Sequence, residues 1–137
     1  MRMKLVVVFL LAVILLGIGI DTVMDLSVQA AEAHTDTPST YFRMKATAYC
    51  LNGTTATQTQ TRKGICAGKR EWFGRYAVVY ADNNGEIGNL IGIYRVEDTG
   101  GEAIRSGRVL DIWMPTEDEC FQFGRRDVHV FIMEEGK

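Results

Sequence analysis

The sequence predicts a mainly β domain, a compact barrel rather than a doubly wound fold. Three observations carry that expectation. Hydrophobic residues recur with period two in several short stretches, the strongest turn signal is a hairpin dipeptide, and helix signals are confined to one segment.

Taken in order, the chain opens with MRMKLVVVFLLAVILLGIGI. Arg2 and Lys4 form a positive start, and residues 5–20 are an uninterrupted apolar block, somewhat short of the ~20 residues that span a bilayer unaided. Small residues follow at Ala30, Ala31 and Ala33, as at signal-peptidase sites. Residues 1–30 are therefore expected to form an apolar helix, either a signal peptide or an uncleaved N-terminal membrane anchor. In both cases the remainder is exported, to the cell wall or to the outer face of the cytoplasmic membrane. Residues 31–40, with HTDTPST at their end, read as a linker, and residues 41–137 as the folded domain.

Within that domain, residues 43–50 (RMKATAYC), 75–81 (RYAVVYA), 90–97 (LIGIYRVE), 108–114 (RVLDIWM) and 127–133 (DVHVFIM) are strand candidates. The cluster ADNNGEIG, with Asn84-Gly85 at its centre, predicts a tight hairpin turn. PTEDECFQFG predicts one short helix, with Thr116 as N-cap, Glu119 completing a T-x-x-E capping box and Gly124 ending it. In GKREWFG, Trp72 and Phe73 read as a core anchor with a charged rim, or as a sugar-stacking platform. NGTTATQTQTR, with five threonines in eight positions, reads as a polar surface loop, or as a groove edge offering hydroxyls to a glycan.

A formal charge of −2 leaves no electrostatic footprint for nucleic acid, and no such partner is expected. Only His34 and His129 are available as imidazole ligands and no C-x-x-C spacing exists, so neither a metal nor an organic cofactor is expected. His129 alternates with Val128 and Val130 and is expected on an exposed strand face, with a Cys–His nucleophile pair as the functional alternative. Three cysteines in an exported chain leave one unpaired. A Cys50–Cys120 disulfide would staple the first strand to the helix; buried free thiols are the alternative.

Two acids stand out. Asp98 begins the turn-forming run Asp-Thr-Gly-Gly, where a short carboxylate accepts backbone N–H groups two residues on. Asp111 shares its strand face with Val109 and Trp113, and such a face is not a solvated one. Either buried donors satisfy the acid or it lines a partly apolar cleft, where desolvation raises a carboxyl pKa toward that of a useful general acid.

ATAYC (residues 46–50), EDTGG (97–101), AIRSG (103–107) and RVLDIWM (108–114) resemble the 3D domain, which is named for three aspartates. That domain is similar to the catalytic barrel of MltA-type lytic transglycosylases, to exported YuiC-like proteins of Gram-positive bacteria and to RlpA-like barrels. The resemblance implies a six-stranded double-psi β-barrel with a groove holding the acids. It implies that Asp111 is the catalytic acid of a peptidoglycan-cleaving lytic transglycosylase, supported by Asp98. Tyr49 (a stacking ring), Thr61 (a hydroxyl donor), Thr99, Gly100 and Gly101 are the expected substrate-binding residues. The chain departs from the family pattern twice: Val78-Val79-Tyr80 stands where an a-V-D run places the first aspartate, with Asp82 two residues on, and one extra residue follows the double glycine at about Glu102.

The implied chemistry needs few groups. Cleaving a glycosidic bond requires a proton on the leaving oxygen as the sugar develops oxocarbenium character. When the substrate's own C6 hydroxyl attacks C1, one carboxyl can donate a proton and then accept one. The expected partner is the peptidoglycan glycan strand and the expected state a monomer, with residues 5–20 as a membrane tether if uncleaved. Two other classes remain open: a non-catalytic, expansin-like or RlpA-like glycan-binding barrel, and a structural module tethered at the membrane.

Overall fold

The computed structural model describes residues 39–134. The expected N-terminal helix and its cleavage sites lie outside them. Six strands, β1 (Ser39–Tyr49), β2 (Ile65–Ala67), β3 (Tyr76–Asn83), β4 (Glu86–Asp98), β5 (Val109–Trp113) and β6 (Arg126–Met133), close into a barrel in the order β1-β5-β2-β4-β3-β6. Pairing is mixed: β1 with β5 and β2 with β4 run parallel, and the other four pairs are antiparallel. The last two residues assigned to the linker, Ser39 and Thr40, already pair with Met133 and Ile132.

Alternation explains why these stretches are strands. Met44 and Ala46 of β1, Ala77 and Val79 of β3, Leu110 and Ile112 of β5, and Val128, Val130 and Ile132 of β6 point inward and form one core with Cys66 and Val96. Leu110 is fully buried, and burial of such a side chain stabilises the fold by roughly 1.5–3 kcal/mol. The alanines keep a six-stranded interior narrow enough to fill with side chains. Trp72 is buried in the same core, with Phe42 against it at 5.0 Å between ring centres. It is a core anchor and not a surface platform.

The β3–β4 hairpin turns at Asn84 (φ 55°) and Gly85 (φ 97°), both in the region a type I′ turn requires. β2 escapes periodicity reading because three residues cannot show an alternation; its neighbours β4 and β5 hold it in place.

The single expected helix is α2 below. Before it comes α1 (Glu102–Arg105), so the described residues contain two α-helices, along with a 3-10 turn at Arg70–Trp72. In this extra turn Ile104, Arg105 and Ser106 donate backbone N–H groups back to Gly101 and Glu102. Gly107, at φ 77°, then ends it, and a Cβ there would meet Lys69 and Trp72. In α2 (Glu117–Phe123), the Thr116 hydroxyl caps the N–H of Glu119 at 3.2 Å, and Gly124 follows at φ 62°. Arg126 donates to the carbonyl oxygens of Gln122 and Phe123, satisfying two of the last carbonyls.

The expected Cys50–Cys120 bridge is not formed: Cys50, Cys66 and Cys120 are free thiols. Burial, with Cys50 contributing, pushes the Cys120 thiol above its ordinary value. Cys66 is fully enclosed in the core, and burial pushes its thiol well above the ordinary range. No helix among the described residues is long and apolar enough to cross a membrane.

Candidate functional site

Strand register places the two aspartates. Thr47 of β1 pairs with Asp111 of β5, Asp111 pairs with Ala67 of β2, and Ala67 pairs with Asp98 of β4. Thr47, Ala67 and Asp111 face outward because their sequence neighbours Ala46, Cys66, Leu110 and Ile112 fill the core, and a register shift between Cys66 and Ala67 brings Asp98, rather than Glu97, opposite Ala67 in the same row. The acids' Cα atoms are therefore two strand spacings apart, about 10 Å, with only the Ala67 methyl between them.

The two carboxyl groups are treated differently. Asp98 accepts from the backbone N–H groups of Ala56 (3.0 Å) and Thr99 (2.9 Å) on one oxygen, and from the Tyr49 hydroxyl (3.1 Å) on the other. Asp111 accepts from the Thr47 hydroxyl at 2.7 Å on one oxygen, and no described residue donates to the other. Burial raises the Asp111 pKa above the usual carboxyl range; the Thr47 hydrogen bond opposes the rise and the Asp98 charge adds to it. Tyr49 is held firmly as a phenol, first by burial and then by the Asp98 charge, so its O–H remains a donor.

A cleft of about 410 Å³ opens over this row. It is lined by every residue the sequence singled out for substrate binding, Tyr49, Thr61, Thr99, Gly100 and Gly101, together with Asp98 and Asp111. Leu51 and Ile104 give it apolar walls. The two glycines differ: a Cβ on Gly100 would strike the Ile104 side chain, whereas one on Gly101 would enter open space. Gly100 thus lets the Ile104 side chain of α1 pack over it, and the space beside Gly101 is open.

The threonine-rich segment forms one edge of the cleft, with Thr54 and Thr61 lining it. Its other hydroxyls are not offered to a ligand. Thr55 is buried and bonds Thr59 (2.8 Å) and Thr57 (3.2 Å). Glu97, unremarked in the sequence reading, anchors the segment: its buried carboxylate receives both Arg62 Nη atoms at 2.7 Å and the Thr59 hydroxyl. The Arg62 hydrogen bonds hold the Glu97 pKa below its ordinary value.

Other expectations do not converge here. Asp82 lies on another wall, where it accepts from Arg43 Nε (2.6 Å) and the Gly85 N–H (2.8 Å) and faces His129 Nε2 at 3.1 Å. His129, expected to be exposed, is buried: Asp82 covers one side, and the Tyr41 ring stacks over it with its hydroxyl 2.7 Å from Nδ1. Its partners are Tyr41 and Asp82, so no Cys–His pair is assembled among the described residues. A second cleft, about 420 Å³, lies beside α2 between Tyr94, Trp113 and Phe123. Its acid, Glu119, accepts the Thr116 hydroxyl at 3.0 Å. No cluster of three or more potential metal ligands occurs among the described residues.

Thr47 is the partner that sequence reasoning missed in plain sight. It stands two residues before Tyr49 in ATAYC, on the same strand face, yet a single threonine carries no sign of what it will pair with. In comparisons with known proteins, no family model matches the chain and no curated protein matches it significantly.

Proposed function

We propose that the chain is an exported, peptidoglycan-cleaving lytic transglycosylase of the 3D-domain type, acting on the glycan strand through Asp111. The observation that carries this reading is the asymmetry of the two cleft acids. Three donors surround Asp98, whereas Asp111 is partly desolvated, has a raised pKa and keeps an oxygen free of protein donors. A raised carboxyl can protonate the glycosidic oxygen as the bond to C1 breaks. The resulting carboxylate then accepts the proton of the C6 hydroxyl as it closes on C1, and no water is consumed. Asp98 orients Tyr49 and the backbone at residue 56 and raises Asp111 through its charge. The two parallel strand pairs within a closed six-stranded barrel support the double-psi form of the fold.

A second reading, a glycan-binding barrel without catalysis, draws support from Asp82, which faces Arg43 and His129 instead of joining the cleft. One experiment separates them: mass spectrometry of soluble products after incubation with purified peptidoglycan, beside Asp111→Asn. Anhydro-muropeptides from the wild type, reduced roughly 100- to 10,000-fold in the variant, are expected. Products one water heavier would identify a hydrolase, and binding without products would favour the glycan-binding barrel.

A further inference from the structure

The two clefts differ in charge. Among the described residues that line the first, Asp98 and Asp111 are the charged groups, with no lysine, arginine or histidine beside them. The second sets Lys63 and Arg126 against a single acid, Glu119. Neither cation is taken up by the fold: neither forms an ion pair with a described carboxylate. Arg126 lies over the Phe123 ring at 4.1 Å and donates to the backbone carbonyls of Gln122 and Phe123, so its charge stays uncompensated. Glu119 accepts the Thr116 hydroxyl on one carboxylate oxygen, and no described side chain donates to the other.

The clefts also share walls. Trp113 stands two residues beyond Asp111 on the same face of β5, about 7 Å along the strand. It lines the second cleft, and its indole N–H donates at 3.1 Å to the carbonyl of Leu51, which lines the first. On the other side, the segment entering β2 passes from Thr61 in the first cleft to Lys63 and Gly64 in the second. Tyr94 completes the second cleft, and its ring has room there because a Cβ on Gly92 would strike it.

A peptidoglycan strand seated over Asp111 brings another chemical group with it. The peptide stem hangs from the lactyl ether of the muramic sugar and carries free carboxylates and the amine of a diamino acid. A cleft whose fixed charges are both acids disfavours those carboxylates. Two extended peptide residues span about 7 Å, the step from Asp111 to Trp113, and so reach the cleft that holds the cations. We propose that this second cleft is the subsite for the peptide stem. Lys63 and Arg126 pair with its carboxylates, Glu119 with its amine, and Trp113 and Tyr94 with its apolar side chains. The inference rests on the peptidoglycan reading above and adds a preference to it: strands that still carry their peptides are favoured over bare ones.

The test is a proton–nitrogen correlation NMR titration of the full chain, in mild non-ionic detergent, with the synthetic stem peptide alanyl-γ-glutamyl-diaminopimelyl-alanine. Movement of the Lys63 and Gly64 amides, the Trp113 indole and the α2 amides is expected, with the Asp98 and Asp111 amides still. In Lys63→Glu the dissociation constant rises at least ~10-fold. Lys63 is exposed, and unchanged positions of the remaining signals check that the variant keeps the fold. Added salt weakens binding to the wild type, which tests the charge pairing without any substitution. Silence of these signals at millimolar peptide overturns the inference, as does binding indifferent to both Lys63→Glu and salt. Movement of the same signals with chitotetraose and not with the peptide also overturns it, and assigns the cleft to a further sugar. The titration needs no cleavage: products without peptide binding overturn this inference alone, and peptide binding without products overturns the transglycosylase reading alone.

Discussion

At the scale of single residues, Thr47 and burial pull the protonation of Asp111 in opposite directions. The Thr47 hydroxyl stabilises the charged form of Asp111, and burial destabilises it. Thr47→Val therefore moves the Asp111 pKa further upward. Under the proposed mechanism, the alkaline limb of the pH–rate profile for anhydro-muropeptide release shifts to higher pH. A merely structural lesion would lower the rate at every pH and leave the limb in place. Stability follows from the same residue. Because the folded pKa of Asp111 is raised, the folded state holds its proton more tightly, and stability declines as pH rises from the ordinary carboxyl value of 3.8 through the folded one. Asp111→Asn lacks that decline, so at pH 7 its melting temperature equals or exceeds that of the wild type in calorimetry. Loss of product with no loss of stability would separate chemistry from folding.

At the scale of elements, the segment between β1 and β2 is held from below by β4. Thr57 donates its N–H to the Glu97 carbonyl, Ala56 donates to Asp98, and Arg62 clamps the Glu97 side chain. Glu97→Gln leaves Arg62 facing a neutral amide and is expected to destabilise the fold by about 1–2 kcal/mol, less than a fully buried pair because Arg62 is half exposed. The Glu97 pKa is depressed, so its stabilisation is present above the ordinary value of 4.5 and is lost as pH falls through the folded value. Acid unfolding of Glu97→Gln, followed by tryptophan fluorescence, should be correspondingly flatter over that range. Element legibility in the sequence tracked local signals. The Asn84-Gly85 turn and the Thr116 cap announce themselves, since each is made by adjacent residues. β2 and α1 do not, because one is held by strands distant in sequence and the other is a single turn.

At the scale of the whole molecule, closure is non-local: β1 pairs with β5 and β6, more than sixty positions away. Refolding is therefore expected on the millisecond-to-second scale in stopped-flow fluorescence, slower than for helical domains of similar size. Leu110 packs inside the barrel with no exposed surface, and Leu110→Ala should cost about 3 kcal/mol in denaturant unfolding. Leu110 lies one residue from Asp111, so adjacent side chains of β5 serve the core and the cleft on opposite faces.

What the sequence determined by itself was whatever depends on near neighbours: the β period, the hairpin, the capped helix, and the suspicion that an acid between Val109 and Trp113 is not solvated. It also marked Asp98, Asp111, Tyr49, Thr61 and the glycines as one group, and they do line one cleft. Only the tertiary structure decided which donors meet which acid, that Glu97 is an anchor, that His129 is covered by Tyr41 and Asp82, and that Cys50 and Cys120 remain free thiols. The reason is physical. Periodicity and capping act between adjacent residues and leave a trace in the letters. Hydrogen bonds across a barrel join residues separated by dozens of positions, and strand register alone brings them within reach.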